Sequence, residues 1–296
     1  MTARSTITAG RTRPAVAGPA PGPGPARLGA TARQVLLCLA TVAALAPLVF
    51  MVLTSLKTSA DYTTNPAGPP TSVTFDNYRR ALTDLPTLRW MLNSLLVTTV
   101  AVAASTAIAA LGSYAISFGR FRGRQLLLGL NIGLIMVPPV VLLLPVFVIM
   151  VNLRLINTLP SVMLFYTGLL VPFAVFFLTS FFRTVPEDVI HAAQVDGAGP
   201  GRTLWSVILP LTRPALMTVC VVNAIWVWNE LLISLVFLQA EDQRTLMGGL
   251  SLSQGRYATD QPLVLAVATL SILPVAAFYA LSQRSFVRGL TAGIGK

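Results

Sequence analysis

Charge is scarce in this chain: Asp, Glu, Lys and Arg make up 10% of its 296 residues, where soluble domains carry about a quarter. So little charge excludes a surface made wholly for water. Histidine occurs once, at His191, and cysteine twice, at Cys38 and Cys220. That excludes a disulfide framework, a metal set with ligand spacing and a Ser/His/Asp nucleophile. An integral-membrane enzyme needs convergent acids, histidines or thiols, so no catalytic residue and no metal are expected. A phosphate-cradling loop is missing too. It requires Gly, four residues, then Gly-Lys and a hydroxyl residue. Before Gly295-Lys296 the required position holds Leu290, and no Ser or Thr follows. The chain is expected to hold no cofactor of its own, so any ATP-driven step belongs to another polypeptide.

What is present is apolar length: 54% of residues are hydrophobic. Six long runs stand out, at Val35–Leu56, Trp90–Gly119, Gln125–Leu153, Pro160–Phe182, Pro214–Leu238 and Pro262–Gln283. A helix rises about 1.5 Å per residue, so each run can cross a hydrocarbon core of about 30 Å. The runs lack the alternation of a membrane barrel, so they are expected to be helices. Pro138, Pro139 and Pro145 are expected to break or kink the third. The fold expected is all-α and integral to the membrane, with six transmembrane helices.

The net charge of +11 is informative by placement. Arg4, Arg11, Arg13, Arg27, Arg33, Arg120, Arg122, Arg124, Arg183, Arg202, Arg213, Arg284, Arg288 and Lys296 fall on one side. Lys57, Arg79, Arg80, Arg89, Arg154, Arg244 and Arg256 fall on the other. The positive-inside rule puts the richer side, and both termini, in the cytoplasm. Basic residues that flank spans form no aromatic-interleaved patch, so nucleic acid is not an expected partner. Residues 1–33 are rich in Pro, Gly and Ala and read as a disordered cytoplasmic extension. The first helix, 34–56, reads as an uncleaved signal anchor. An extracytoplasmic loop, 57–88, a five-helix core, 89–283, and a cytoplasmic tail, 284–296, complete the division.

The loop 186–214 carries the sharpest local pattern. Pro186 followed by Glu187 and Asp188 starts a helix, with acids at its positive end. Val189, Ala192, Ala193 and Val195 give a small apolar face. Gly197 can end the helix in a left-handed conformation, and Gly199, Pro200 and Gly201 delay another. Leu204, Trp205, Ile208 and Leu209 then form a second amphipathic stretch before Pro210 and Pro214. Two short helices at a sharp bend make either a knob for a partner or a hairpin on the membrane surface.

This loop resembles the signature loop of binding-protein-dependent ABC importer permeases. Its pattern is Glu-Ala-Ala, then Asp-Gly-Ala, a spaced Ile and two prolines. Ala192-Ala193, Asp196-Gly197-Ala198, Ile208, Pro210 and Pro214 match it. His191 stands where that family has Glu, and a neutral imidazole weakens any charged contact there, leaving Glu187 or Asp188 as substitutes. Asn93-Ser94-Leu95-Leu96, Trp228-Asn229-Glu230 and the run Gln283–Gly293 are similar to the carbohydrate-uptake subgroup, above all the shorter maltose-type subunit. The resemblance implies the type I importer permease fold and alternating access. It also implies four kinds of partner: a second related permease in a heterodimer, two copies of a cytoplasmic ATPase that uses ATP and Mg, an extracytoplasmic solute-binding protein, and membrane lipid. The loop, with Leu204 also counted in it, would dock on the ATPase.

Intramembrane polar residues are the usual candidates for a pathway. Glu230 is the one acid placed in a span. With Asn223, Trp226, Trp228 and Asn229 it offers amides and aromatic faces suited to sugar rings, and Asn131 and Asn93 are further candidates. Alternatively, Glu230 sits at the outer interface or pairs with an arginine of the partner permease. The loops 57–89 and 239–261 either meet the binding protein or simply connect spans. The rival class is an ion-coupled secondary transporter without an ATPase. It would show internal repeats and several midplane ionisable groups, and neither is evident.

Overall fold

A computed structural model describes residues 25–257 and 260–292, and all regular structure among them is helical. Most of the N-terminal extension therefore lies outside the described residues. The chain divides into two units at Val49/Phe50. The first contains most of helix α1 (Pro25–Ser55), which starts within the segment assigned by sequence to the extension. Ala32–Ser55 is apolar and long enough to cross a membrane.

The second unit includes short α2 (Ser59–Thr64) and α3 (Asp76–Thr83) and is built on α4 (Thr87–Phe118) and α7 (Leu159–Phe182), which pack along each other. Ala101, Ser105, Ala109 and Ser113 recur at every fourth position of α4 and are fully buried. Small side chains in such a stripe let two helix backbones approach closely. Ser113 Oγ adds a bond to the Val175 carbonyl at 3.1 Å. Bonds of this kind contribute about 0.6 kcal/mol between membrane helices, so close packing outweighs them. Helix α11 (Arg213–Asn229) lies against α4, α7 and α14 (Gln261–Ala292). Among the described residues, and counting Ala32–Ser55 of α1, four helices are long and apolar enough to span alone, and two bent pairs bring the number to as many as six.

The bent pairs refine the sequence reading. The expected third span is two helices, α5 (Arg124–Ile135) and α6 (Pro139–Asn152), meeting at 98°. Pro138 is extended, at φ −61° and ψ 134°, and Pro139 opens α6. Neither has an N–H to donate, and a residue before proline avoids the helical region. Pro145 does not interrupt α6. The expected fifth span also breaks, between α11 and α12 (Leu232–Phe237), with Glu230 extended at φ −73° and ψ 129°. No proline or glycine marks that break. Before α11 the chain turns by 78° from the segment Pro200–Leu211. Backbone of α14 continues to Ala292, past the expected end of the sixth span.

Three apolar clusters follow one another along the unit. One joins Ala109, Phe182, Ile190, Ile208 and Val219. The second joins Val97, Phe165, Tyr166, Val227 and Phe237. The third joins Trp90, Trp228, Leu246 and Leu263 with α3 (Asp76–Thr83). The first marks the end carrying α8 (Glu187–Val195), and the last marks the end carrying α13 (Leu246–Arg256).

Candidate functional site

Helix α8 begins after Pro186 and carries Glu187 and Asp188 in its first turn, as the sequence predicts. Gly197 has φ 78°, a conformation that costs glycine little. It lets the Ala198 N–H reach back to the Ala193 carbonyl at 2.9 Å, which closes the helix end. The buried face differs from the expected one. Ile190 and Ala193 are inside and Val189 is half-buried, whereas Ala192 is exposed and Val195 is 87% exposed. Core residues at the ends of α4, α7 and α11 select that face, and helical spacing within α8 does not contain them.

After α9 (Pro200–Thr203) the backbone widens into a π-turn over Leu204–Ile208, in which the Leu209 N–H bonds the Leu204 carbonyl. The wider turn accommodates Pro210, whose ring would clash in a regular helix. Short α10 (Leu209–Leu211) follows, and Pro214 falls in the first turn of α11. Leu204 and Ile208 are buried in the same cluster as Phe182 and Ala215. Trp205 (67% exposed) and Leu211 point away from it. The loop thus has its inner side in the core of the spans. Its outer side carries Asp188, Ala192, Val195, Asp196 and Trp205.

The polar candidates separate into two groups. Asn223 is buried, with its Nδ2 lacking a partner. It borders a hollow of about 260 Å³ beside Pro139, Pro172 and Trp226 at the α5–α6 bend. Trp226 is shared with a second hollow of about 500 Å³ that also borders Asn229 and Glu230. The other three candidates serve the scaffold. Asn93 Nδ2 donates to the carbonyls of Asp242 and Arg244 at 3.0 and 2.9 Å. Asn131 Nδ2 donates to the Pro172 carbonyl at 2.8 Å. Trp228 is buried in the cluster with Trp90, away from Trp226.

Glu230 is fully engaged within the chain. Its carboxylate accepts the Tyr166 hydroxyl at 2.6 Å and the N–H groups of Ile233 and Ser234 at 3.1 and 3.4 Å. It therefore holds the first turn of α12 and ties it to α7. Backbone N–H groups freed at a helix start need such an acceptor. Tyr166 was not among the sequence candidates. It lies 64 residues from Glu230, and no spacing rule connects them.

The family described as binding-protein-dependent transport system inner membrane component matches residues 106–292. The sulfoquinovosyl glycerol transport system permease protein SmoH of Agrobacterium fabrum is 35% identical, over 83% of this chain and 87% of that protein. The diacetylchitobiose uptake system permease protein NgcG of Streptomyces coelicolor is 30% identical, over 87% and 86%. Among solved structures, a chain of a bacterial ABC transporter that imports the acidic polysaccharide alginate superposes with TM-score 0.78. Identity there is 25%, covering 90% of this chain and 100% of that one. Matching in sequence and in backbone over most of its length, the chain belongs to the binding-protein-dependent ABC importer permeases: it is a multi-pass inner-membrane subunit, and it is not an enzyme.

Proposed function

We propose that this chain pairs with a second, related permease and carries a sugar or oligosaccharide inward, with α8–α10 facing the cytoplasm and docked on one of two ATPase copies. ATP and Mg would be used by that ATPase. The observation that carries the docking role is the two-sided build of the loop. Its inner residues Ile190, Leu204 and Ile208 share a core with the ends of α4, α7 and α11. Its outer residues leave Val195 and Trp205 exposed, and an exposed aromatic anchor is the usual centre of an interface. Motion of the loop therefore becomes motion of three spans. Glu187 lines the same pocket as His191, one turn earlier, and is the nearer substitute for the family's Glu, while Asp188 lies on the outer face.

The substrate class follows from relatives whose names refer to glycosides and oligosaccharides. Asn223, Trp226, Asn229 and Glu230 would line the path. An unpartnered amide can bond a sugar hydroxyl, and an aromatic face can stack on its ring. The bend between α5 and α6 and the break at Glu230 supply the joints for alternating access.

Reconstitution tests this reading. The chain is placed in vesicles with its second permease, ATPase and binding protein, and uptake of the binding protein's ligand is followed. Uptake should require both ATP and the binding protein; transport that persists without ATP overturns the importer reading. His191→Glu should keep or strengthen co-purification of the ATPase, and loss of the ATPase would contradict the docking assignment.

A further inference from the structure

A concave pocket of about 730 Å³ lies between the end of α4 and α8, apart from the polar hollows. One wall presents Ser117, Arg120 and Arg124, and the other presents Glu187, His191 and Gln194. Tyr114, Phe118 and Ile190 form an apolar floor. The polar groups are mostly donors awaiting an acceptor. Ser117 Oγ is buried without a partner. Arg124 spends one N–H on the Gly119 carbonyl, at 3.2 Å. Arg120, His191 and Gln194 have no side-chain partner among the described residues.

Two guanidinium groups face one carboxylate, so the pocket is net positive, with the His191 imidazole at its rim. A glutamate at 191 would stand one turn from Glu187 and cancel that charge. The pocket also sits where α4 ends and α5 starts. Planar guanidinium groups bind phosphate through paired N–H bonds, and basic pockets between membrane helices take anionic headgroups.

We propose that this pocket binds a phosphate-bearing anion, with Arg120 and Arg124 holding the phosphate and Ser117, His191 and Gln194 completing its shell. Lipid headgroups and soluble sugar phosphates share this chemistry. The phosphate-holding arginines do not depend on the docking role of α8. Glu187 and His191 belong to both the pocket and the docking loop, whereas Arg120 and Arg124, which hold the phosphate, lie outside that loop.

The test uses the assembled transporter in phosphatidylcholine nanodiscs. Binding is measured by native mass spectrometry for phosphatidylglycerol added to the disc, and by isothermal titration for glucose 6-phosphate. Binding of phosphatidylglycerol alone identifies the headgroup as source; binding of glucose 6-phosphate identifies a soluble ligand. In either case Arg120→Gln and Arg124→Gln should each weaken binding by about tenfold, the scale of one charge-assisted bond. Arg120→Lys should restore much of the loss. A transporter that binds neither probe, or binds one equally well in both glutamine variants, overturns the proposal. The ATPase should co-purify with Arg120→Gln, so a failed docking reading would show separately as an ATPase that never associates with the unaltered chain.

Discussion

The two ends of the helical unit are built on opposite plans. At the α13 end, side chains cross-tie distant segments. Arg80 pairs with Asp260 at 2.9 Å, Arg89 with Asp242 at 2.9 Å and Arg256 with Glu241 at 3.2 Å. Trp90 Nε1 donates to the Glu241 carbonyl at 2.7 Å, and Ser94 Oγ accepts the Leu246 N–H at 2.8 Å. Even Lys57 is buried, its Nζ donating to the Asn65 carbonyl at 2.6 Å. Every ion pair among the described residues lies at this end. The α8 end holds together chiefly by apolar packing, and among the described residues its Asp188, Asp196, Arg183 and Arg202 form no ion pair. One end ties its charged side chains to one another, while the other leaves charge and aromatic surface for something else to meet.

The largest effect should come from attacking that unmet surface. Trp205→Asp replaces an exposed aromatic with a charge at the proposed ATPase contact. Association should fall by about 4 kcal/mol, roughly a thousandfold, as for a central anchor residue. Thermal unfolding of the purified chain should barely change, because the side chain is 67% exposed. If Trp205→Asp lowers the unfolding temperature while the ATPase stays bound, the contrast between the ends fails.

At the α13 end the matching experiment is steric. A Cβ on Gly249 would overlap the Trp90 ring, which is itself held by Glu241. Gly249→Ala should destabilise the chain by about 3 kcal/mol, the upper range for overpacking, and leave ATPase co-purification of the folded fraction intact. Glu230→Gln should cost about 2 kcal/mol. It keeps the shape but turns a charged acceptor of three hydrogen-bonding groups into an amide. A Tyr166→Phe, Glu230→Gln double mutant measures the link: losses that simply add would show that Tyr166 and Glu230 do not act together.

The same contrast explains what the sequence could tell. Spans near α1, α4, α7 and α14 were legible within a few residues, since each is a long apolar run with a proline or charge at its edge. The start and stop of α8 were legible because Pro186 and Gly197 act locally. The bend at Pro138-Pro139 was announced, but its 98° was not, as prolines forbid a helix without fixing the next direction. The break at Glu230 was invisible: the agents are a carboxylate and Tyr166, brought together by the packing of α7 on α11. The outward turn of Ala192 and Val195, and the separation of Trp226 from Trp228, depend likewise on neighbours distant in sequence.

The smallest effect should come from the most conspicuous feature of the α13 end. Arg256 and Glu241 are 66% and 49% exposed at the side chain. Solvated pairs of this kind contribute about 0–1 kcal/mol, because water screens them and two long side chains must be fixed. Arg256→Gln should therefore shift stability by less than about 1 kcal/mol, with little change on adding salt. Arg80 and Asp260 are better shielded, at 30% and 17%, so Arg80→Gln should cost more than Arg256→Gln, and added salt should erase less of its contribution. Equal effects from the two variants would mean that ion pairs at this end only decorate it, leaving the buried bonds of Trp90, Asn93 and Ser94 to distinguish it from the α8 end.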